Sequence, residues 1–333
     1  MPRFLSKFLL FSFKIVLVLL LIRLTMYGWR PGKLVKLAIV PDPGQLVQRL
    51  EESVRVLSED IGVRNYVHFD NLNRAAGFIR RNFEEMGYPV TRQTYTLEGK
   101  VFENIVAEKA GAAASSEIII IGAHYDSCFN PGADDNASGV AGLLELARML
   151  KDVPTQSTLR FVAFTNEEPP FFTTEDMGSR VYARATKAKG ETIKAVVILE
   201  MIGFYSDKRF SQRYLPFLGP FYPNRANFIA IVGNFPSHTL VQDVIKGFRQ
   251  GSDFPIESIV APSFIPGIYF SDHWSFWKEG YPAVMVTDTA FLRSPHYHAT
   301  TDRPETLDYE RMGAVVAGLK EAIIALAHDS RSI

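Results

Sequence analysis

The chain has 333 residues, suited to one large α/β domain or two modest ones and too long for a single small domain. Lysine plus arginine and aspartate plus glutamate balance at 36 each, so no global field draws it to nucleic acid, and none is expected as a partner. At 47% hydrophobic and 22% charged residues the composition supports a sizeable core and argues against general disorder, while the single Cys128 excludes an intramolecular disulfide and a cysteine-only zinc site.

The first compositional shift is at the N-terminus. Residues 8–24 read FLLFSFKIVLVLLLIRL, interrupted only by Ser12, Lys14 and Arg23. The strictly apolar part, 15–22, is short for a span that needs about 20 residues, but Lys14 and Arg23 can snorkel to opposite headgroup layers. Tyr27 and Trp29 suit an interface. No small-residue cleavage site follows the run, which favours an uncleaved single-span anchor over a removed signal peptide. The expectation is a membrane anchor over 1–30, a linker over 31–44 and a soluble domain over 45–329. Arg3 and Lys7 precede the run and Arg30, Lys33 and Lys36 follow it, so the flanking charges set no orientation.

Beyond the linker, QLVQRLEESVRVLSEDIG reads as a helix ended by Gly62. A second helix begins at an Asp70 cap, with Leu72, Ala76, Ile79, Phe83 and Met86 on one face, and closes at Gly87. YPVTRQTYTL and NIVAEKAG read as a hairpin. Apolar strands then alternate with helices. Strand 117–123 precedes helix 140–150, strand 158–165 precedes a helix near 178–185, and strand 195–199 follows. Strand 228–232 precedes helix 239–250, strand 283–286 follows, and the last helix starts after Asp308 with Met312, Val315, Leu319, Ile323 and Leu326 facing inward. This alternation predicts an α/β fold whose largely parallel sheet is covered on both faces. The stretch FYSDKRFSQRYLPFLGPFYPNR, 204–225, has neither period and reads as a long loop of the kind that walls a site.

In open α/β sheets ligands bind beyond the carboxyl ends of the strands. Four strands run into polar residues there: EIIIIGA into His124 and Asp126, then Asp134 and Asp135; TLRFVAFTN into Glu167 and Glu168; AVVIL into Glu200; PAVMVTDTA into a loop with His296 and His298. Each has an ordinary reading on its own. His124 alone reads as a loop histidine, Asp134 and Asp135 beside Asn136 and Ser138 as a turn and helix cap, and Glu167 and Glu168 before two prolines as a solvated strand end. Together they are costly beside apolar strands unless they bind a metal, and imidazole with carboxylate suits zinc. His68, His238 and His328 lack this company, and His273 next to Asp272 reads as a group bordering the site or its substrate pocket.

The ordered segments HYDS, GADDNASG, NEE, EMIG, SDHWSFWKEGYPA and HYHATTD resemble the M28 family of zinc aminopeptidases. The resemblance covers the chain from about Gln45 to the C-terminal helix. It implies a three-layer α/β/α sandwich around a mixed, mostly parallel sheet, following the single N-terminal transmembrane helix expected above. By motif, His124 and Glu200 match ligands of one zinc, Glu168 and His298 ligands of a second, and Asp135 the carboxylate bridging both. Glu167 matches the general base acting on a water shared by the ions, in hydrolysis of N-terminal peptide bonds. The implied partners are thus two Zn²⁺ ions, a peptide substrate and, through the N-terminal run, a membrane, with the catalytic domain outside the cytoplasm. Asp126 is placed to orient His124, Asp302 to orient His298, and aromatics of 171–172 and 204–225 to wall the substrate pocket.

One departure stands out: position 200 is more commonly Asp in that family, and Glu is one methylene longer, so the metal or the strand end must shift. NEEPPFFTTEDMGSR is also similar to glutaminyl cyclases, one-zinc relatives that lack the tandem aspartates retained here. A cyclase-like acyltransferase and a non-catalytic domain of the same fold are the alternatives.

Overall fold

The computed structural model describes residues 42–112, 116–214 and 218–329. The expected anchor and all but the last residues of the expected linker lie outside them. Among the described residues no helix is long and apolar enough to cross a membrane.

Helix α1, Pro43–Arg55, is capped by the Asp42 carboxylate and has Pro in its first turn, where the missing N–H costs nothing. It runs on through a wider turn, Val56–Ile61, and stops at Gly62, whose φ of 80° a side chain would resist. Helix α2 is Phe69–Glu85; Asp70 lies in its first turn rather than at its cap, which is His68. A hairpin follows, β1 (Val90–Leu97) with β2 (Lys100–Lys109). Then come β3 (Glu117–His124), α3 (Gly139–Leu150), β4 (Thr158–Phe164), α4 (Gly178–Ala188) and β5 (Thr192–Glu200). The last third holds β6 (Ile229–Gly233), α5 (His238–Gly251), β7 (Ile256–Val260), α6 (His273–Lys278), β8 (Ala283–Thr287) and α7 (Tyr309–His328). The Asp308 carboxylate caps α7 by accepting the Arg311 N–H at 3.0 Å.

The eight strands form one mixed sheet in the order β1-β2-β4-β3-β5-β8-β6-β7. The four central strands, β4, β3, β5 and β8, are parallel to one another. The hairpin joins β4 antiparallel, and β6 joins β8 antiparallel with β7 parallel beyond it. Alternate side chains of the central strands serve two cores. Ile119, Ile121, Phe161 and Val197 pack with α1, α2, α3, α5 and α7, whereas Ile120, Val162, Phe164 and Ile198 pack with α4 and α6. Each such side chain, fully buried, contributes roughly 1.5–3 kcal/mol relative to exposure.

β7 and α6 are the two elements that sequence reading leaves out. β7 is an edge strand whose residues are mostly half-buried and include Glu257 and Ser258, so its apolar alternation is weak. The six residues of α6 are too few to display a helical period.

Candidate metal centre

Because β4, β3, β5 and β8 are adjacent and parallel, their carboxyl ends lie side by side. His124 is the last residue of β3 and Glu200 the last of β5. Glu167 and Glu168 follow β4, and His298 sits in the loop after β8. The five residues expected as metal ligands, and Glu167 with them, meet at this edge. His124 Nε2 lies 3.4 Å from Asp135 Oδ1 and 3.3 Å from Glu200 Oε2. His298 Nε2 lies 3.2 Å from Asp135 Oδ2 and 3.3 Å from Glu168 Oε2. Glu167 Oε2 is 3.9 Å from His124 Nε2.

The loop 132–139 holds Asp135 in place while its neighbours take ordinary structural work. Asn136 donates to the Leu199 carbonyl and accepts from the Gly139 and Met201 N–H groups. Asp134 accepts from the Gly203 N–H, and Ser138 accepts from that of Ile202. These bonds tie the loop to the end of β5 and leave Asp135 facing the two histidines. Gly132 begins the turn at φ 62°, and a Cβ there would come within 2.3 Å of the Asp135 carbonyl.

Asp126 does more than expected. Its carboxylate is 3.4 Å from His124 Nδ1, and it also accepts the backbone N–H groups of Glu167 at 3.1 Å and Glu168 at 3.0 Å. One carboxylate thus aligns the end of β4 with the end of β3. Asp302 differs from its expected role. It accepts the N–H groups of Asp134 at 2.8 Å and Asp135 at 3.1 Å, so it positions the Asp135 loop rather than the His298 ring.

Three contributors were not legible as site residues. Ser271 donates to Glu200 Oε2 at 2.7 Å. Arg64, fully buried, donates to the carbonyls of Leu57, Tyr125, Pro131 and Gly132. Burial lowers its pKa to about 10 against the pull of Asp126, Asp302, Asp135 and Glu168, so it brings a fixed positive charge beneath the carboxylates. Cys128 places its sulfur within 4.8 Å of donor atoms of Glu168 and His298. Its position in HYDSC, four residues after His124, was the available signal. The methylene excess of Glu200 is absorbed locally, since its carboxylate still reaches within 4.8 Å of donors on His124 and Asp135.

Burial pushes the Glu167 carboxyl well above its ordinary range, Glu200, Glu168 and Asp272 adding to the effect and His124 opposing it. Glu168 is pushed up to about 7, by burial and then by Asp135. Burial works against a charged His298, yet Asp135 and Glu168 raise it to about 11. Burial also opposes ionisation of Asp135, but His124 and His298 outweigh it and hold the carboxyl below its usual range.

The donors fit zinc. His124 is buried with neither ring nitrogen hydrogen-bonded, and Glu168 Oε1 is likewise bare among the described residues. Each such unpaired buried group costs about 1–3 kcal/mol, and a cation that accepts the lone pairs removes that cost. Imidazole nitrogen with carboxylate oxygen is a zinc donor set, and a dication offsets the acid groups crowded here.

His273 is corrected from its expected place bordering the site. It is buried in α6, donates Nε2–H to the Ile268 carbonyl at 2.7 Å and packs edge-on to Trp277 at 4.4 Å. Burial lowers its pKa from 6.5 to about 4. The unfolded chain takes up this proton near pH 6.5 and the folded chain only near pH 4, so the linked stability is present above pH 6.5 and is lost as the pH falls toward 4. A shift of that size corresponds to about 3 kcal/mol. His273→Gln will therefore lose urea-unfolding stability less steeply over that range than the unchanged chain; equal slopes would remove His273 from the acid response.

Beside the cluster lies a cavity of about 280 Å³, with Asp135, Glu167, Glu168, Glu200 and His298 at one end. Phe172, Tyr214, Leu218 and Tyr222 wall it from the expected segments, and Phe270, Phe291 and Tyr297 from loops not anticipated. Phe171 turns away to pack on Tyr66 and Phe102.

The sheet order and this cluster define an α/β protein with a candidate metal site at the carboxyl edge of its parallel strands. The model of peptidase family M28 matches residues 104–323. The chain is 41% identical over 294 residues to the uncharacterized protein YfbL of Escherichia coli (strain K12), covering 85% of this chain and 88% of that one. It is 29% identical over 224 residues to a probable leucine aminopeptidase of Trichophyton verrucosum (strain HKI 0517), covering 63% of this chain and 53% of the relative, so it spans about half the length of that protein. A zinc aminopeptidase from Bacillus subtilis superposes with a TM-score of 0.70 at 16% identity, over 86% of this chain and 96% of that one, which shows the shared fold. The chain belongs to peptidase family M28.

Proposed function

We propose that the chain is a zinc aminopeptidase that holds two ions, one by His124, Asp135 and Glu200 and the other by Asp135, Glu168 and His298, with Glu167 as proton carrier. Zinc aminopeptidase activity follows from the family and from the aminopeptidases among its relatives. The observation that supports two ions is the posture of Asp135, whose two carboxylate oxygens each face a different histidine, at 3.4 and 3.2 Å. Zinc bound there would polarise the scissile carbonyl and lower the pKa of water from 15.7 to about 7.

The chain's own groups account for the rest. Glu167 stands at the cavity border and is raised in pKa, suited to take a proton from the attacking water and pass it to the leaving amine. The carboxylates at the cavity end attract a free substrate amine, and the aromatic wall accepts an apolar side chain. The apolar run at 8–24 supports a single-span anchor carrying a peptidase domain over 45–329, and the family resemblance favours a position of that domain outside the cytoplasm.

The full-length chain assayed on aminoacyl anilides will favour leucine and phenylalanine over aspartate by about 10–100-fold in kcat/KM, the scale of burying one large apolar side chain. It will leave N-acetylated counterparts intact, and a chelator will abolish the activity until zinc is restored. Cyclisation of N-terminal glutamine without anilide release would favour the glutaminyl cyclase reading, and zinc binding without either reaction a binding module.

A further inference from the structure

We propose that Cys128 is a fourth protein ligand of the ion at Glu168 and His298, supplying a thiolate that makes this the closed, zinc-retaining site of the pair; this rests on the two-ion reading above. The donor atoms of Cys128, Glu168 and His298 lie within 4.8 Å of one another, a triad separate from that of His124, Asp135 and Glu200. Bonds of about 2.3 Å to sulfur and about 2.0–2.1 Å to nitrogen or oxygen set the scale of such a space. A second observation points the same way. Glu168 is only 3% exposed, its Oε2 lies 3.3 Å from His298 Nε2, and its Oε1 has no hydrogen-bond partner among the described residues, so this buried carboxylate beside the triad is left partly unsatisfied.

The backbone at Cys128 is fixed from below. Asn65 Nδ2 donates to the Cys128 carbonyl at 2.7 Å, and the Ser127 N–H donates to the Arg64 carbonyl at 2.8 Å. The turn leaving β3 therefore sends His124 to one cluster and, four residues on, Cys128 to the other. On binding, the thiol proton passes to solvent and a metal–sulfur bond forms, with no change of oxidation state.

The chemistry then separates the two sites. With Asp135, Glu168, His298 and Cys128 the second site has four protein donors, the closed arrangement of retained zinc. The His124 site has three, the number that leaves a position open. Thiolate also selects zinc over magnesium, calcium and manganese, which prefer oxygen.

The test is cobalt(II) substitution of the full-length chain, followed by absorption spectroscopy with metal content from elemental analysis. The unchanged chain holding two cobalt equivalents will show a near-ultraviolet sulfur-to-cobalt charge-transfer band. Cys128→Ser will lose the band, keep the equivalent at His124, and bind the other more weakly by more than the roughly 10–100-fold that loss of an outer partner costs. Two equivalents without the band in the unchanged chain would overturn the thiolate ligand and leave the two-ion reading standing. One equivalent without the band would overturn both. One equivalent with a band that Cys128→Ser removes would support the thiolate and overturn the pair of ions.

Discussion

Glu167→Gln will keep its zinc and lose turnover by about 10²–10⁴-fold, the usual worth of a positioned general acid–base group. The substitution preserves size and one acceptor oxygen but cannot take up a proton. Glu167 Oε2 is 3.9 Å from the nearest imidazole nitrogen, farther than the 3.2–3.4 Å that separates each histidine from Asp135, Glu168 or Glu200. It therefore stands back from both donor clusters while bordering the cavity. Its backbone N–H is fixed by Asp126, so the amide variant keeps the local geometry. Elemental analysis and kcat on one anilide substrate check both halves. Full kcat would assign the proton transfer elsewhere, and loss of zinc would make Glu167 a ligand.

Asp135→Asn will lower the zinc content of the chain and reduce turnover by more than the roughly 10–100-fold cost of removing an outer partner. Asp135 is 2% exposed and faces His124 with one oxygen and His298 with the other. An asparagine there presents an amide N–H₂ to one of the imidazoles and removes the negative charge between two sites that must each hold a dication. Arg64 beneath the cluster remains positive and keeps Asp126 and Asp302, but loses Asp135 as one of its counter-charges. Titrating zinc into the metal-depleted variant will show weakened binding at both sites. Unchanged stoichiometry and affinity would remove Asp135 from the bridging position.

Much of this centre was legible before any fold was known, because buried parallel strands show as apolar runs and the residue just past each run is placed by the strand itself. His124, Glu200 and the pair Glu167 and Glu168 were visible on that ground. His298 lies further into a loop and was singled out by its motif. What failed was the assignment of partners. Asp302 was matched to the nearest histidine in sequence, yet its oxygens receive the N–H groups of a loop more than 160 residues earlier. His273 kept polar company at 272 but is turned into an apolar core by α6.

The amino-acid sequence by itself determined which chemistry the chain carries and at which strand ends, since apolar periodicity and the residue types that interrupt it are local properties. Only the tertiary structure decided that β4, β3, β5 and β8 lie adjacent and parallel, so that four separate strand ends converge. It also brought Arg64 beneath the carboxylates, Ser271 onto Glu200 and Cys128 beside Glu168 and His298. Those contacts depend on which strand neighbours which, a choice made by packing two cores against opposite faces of one sheet, and no local pattern records it.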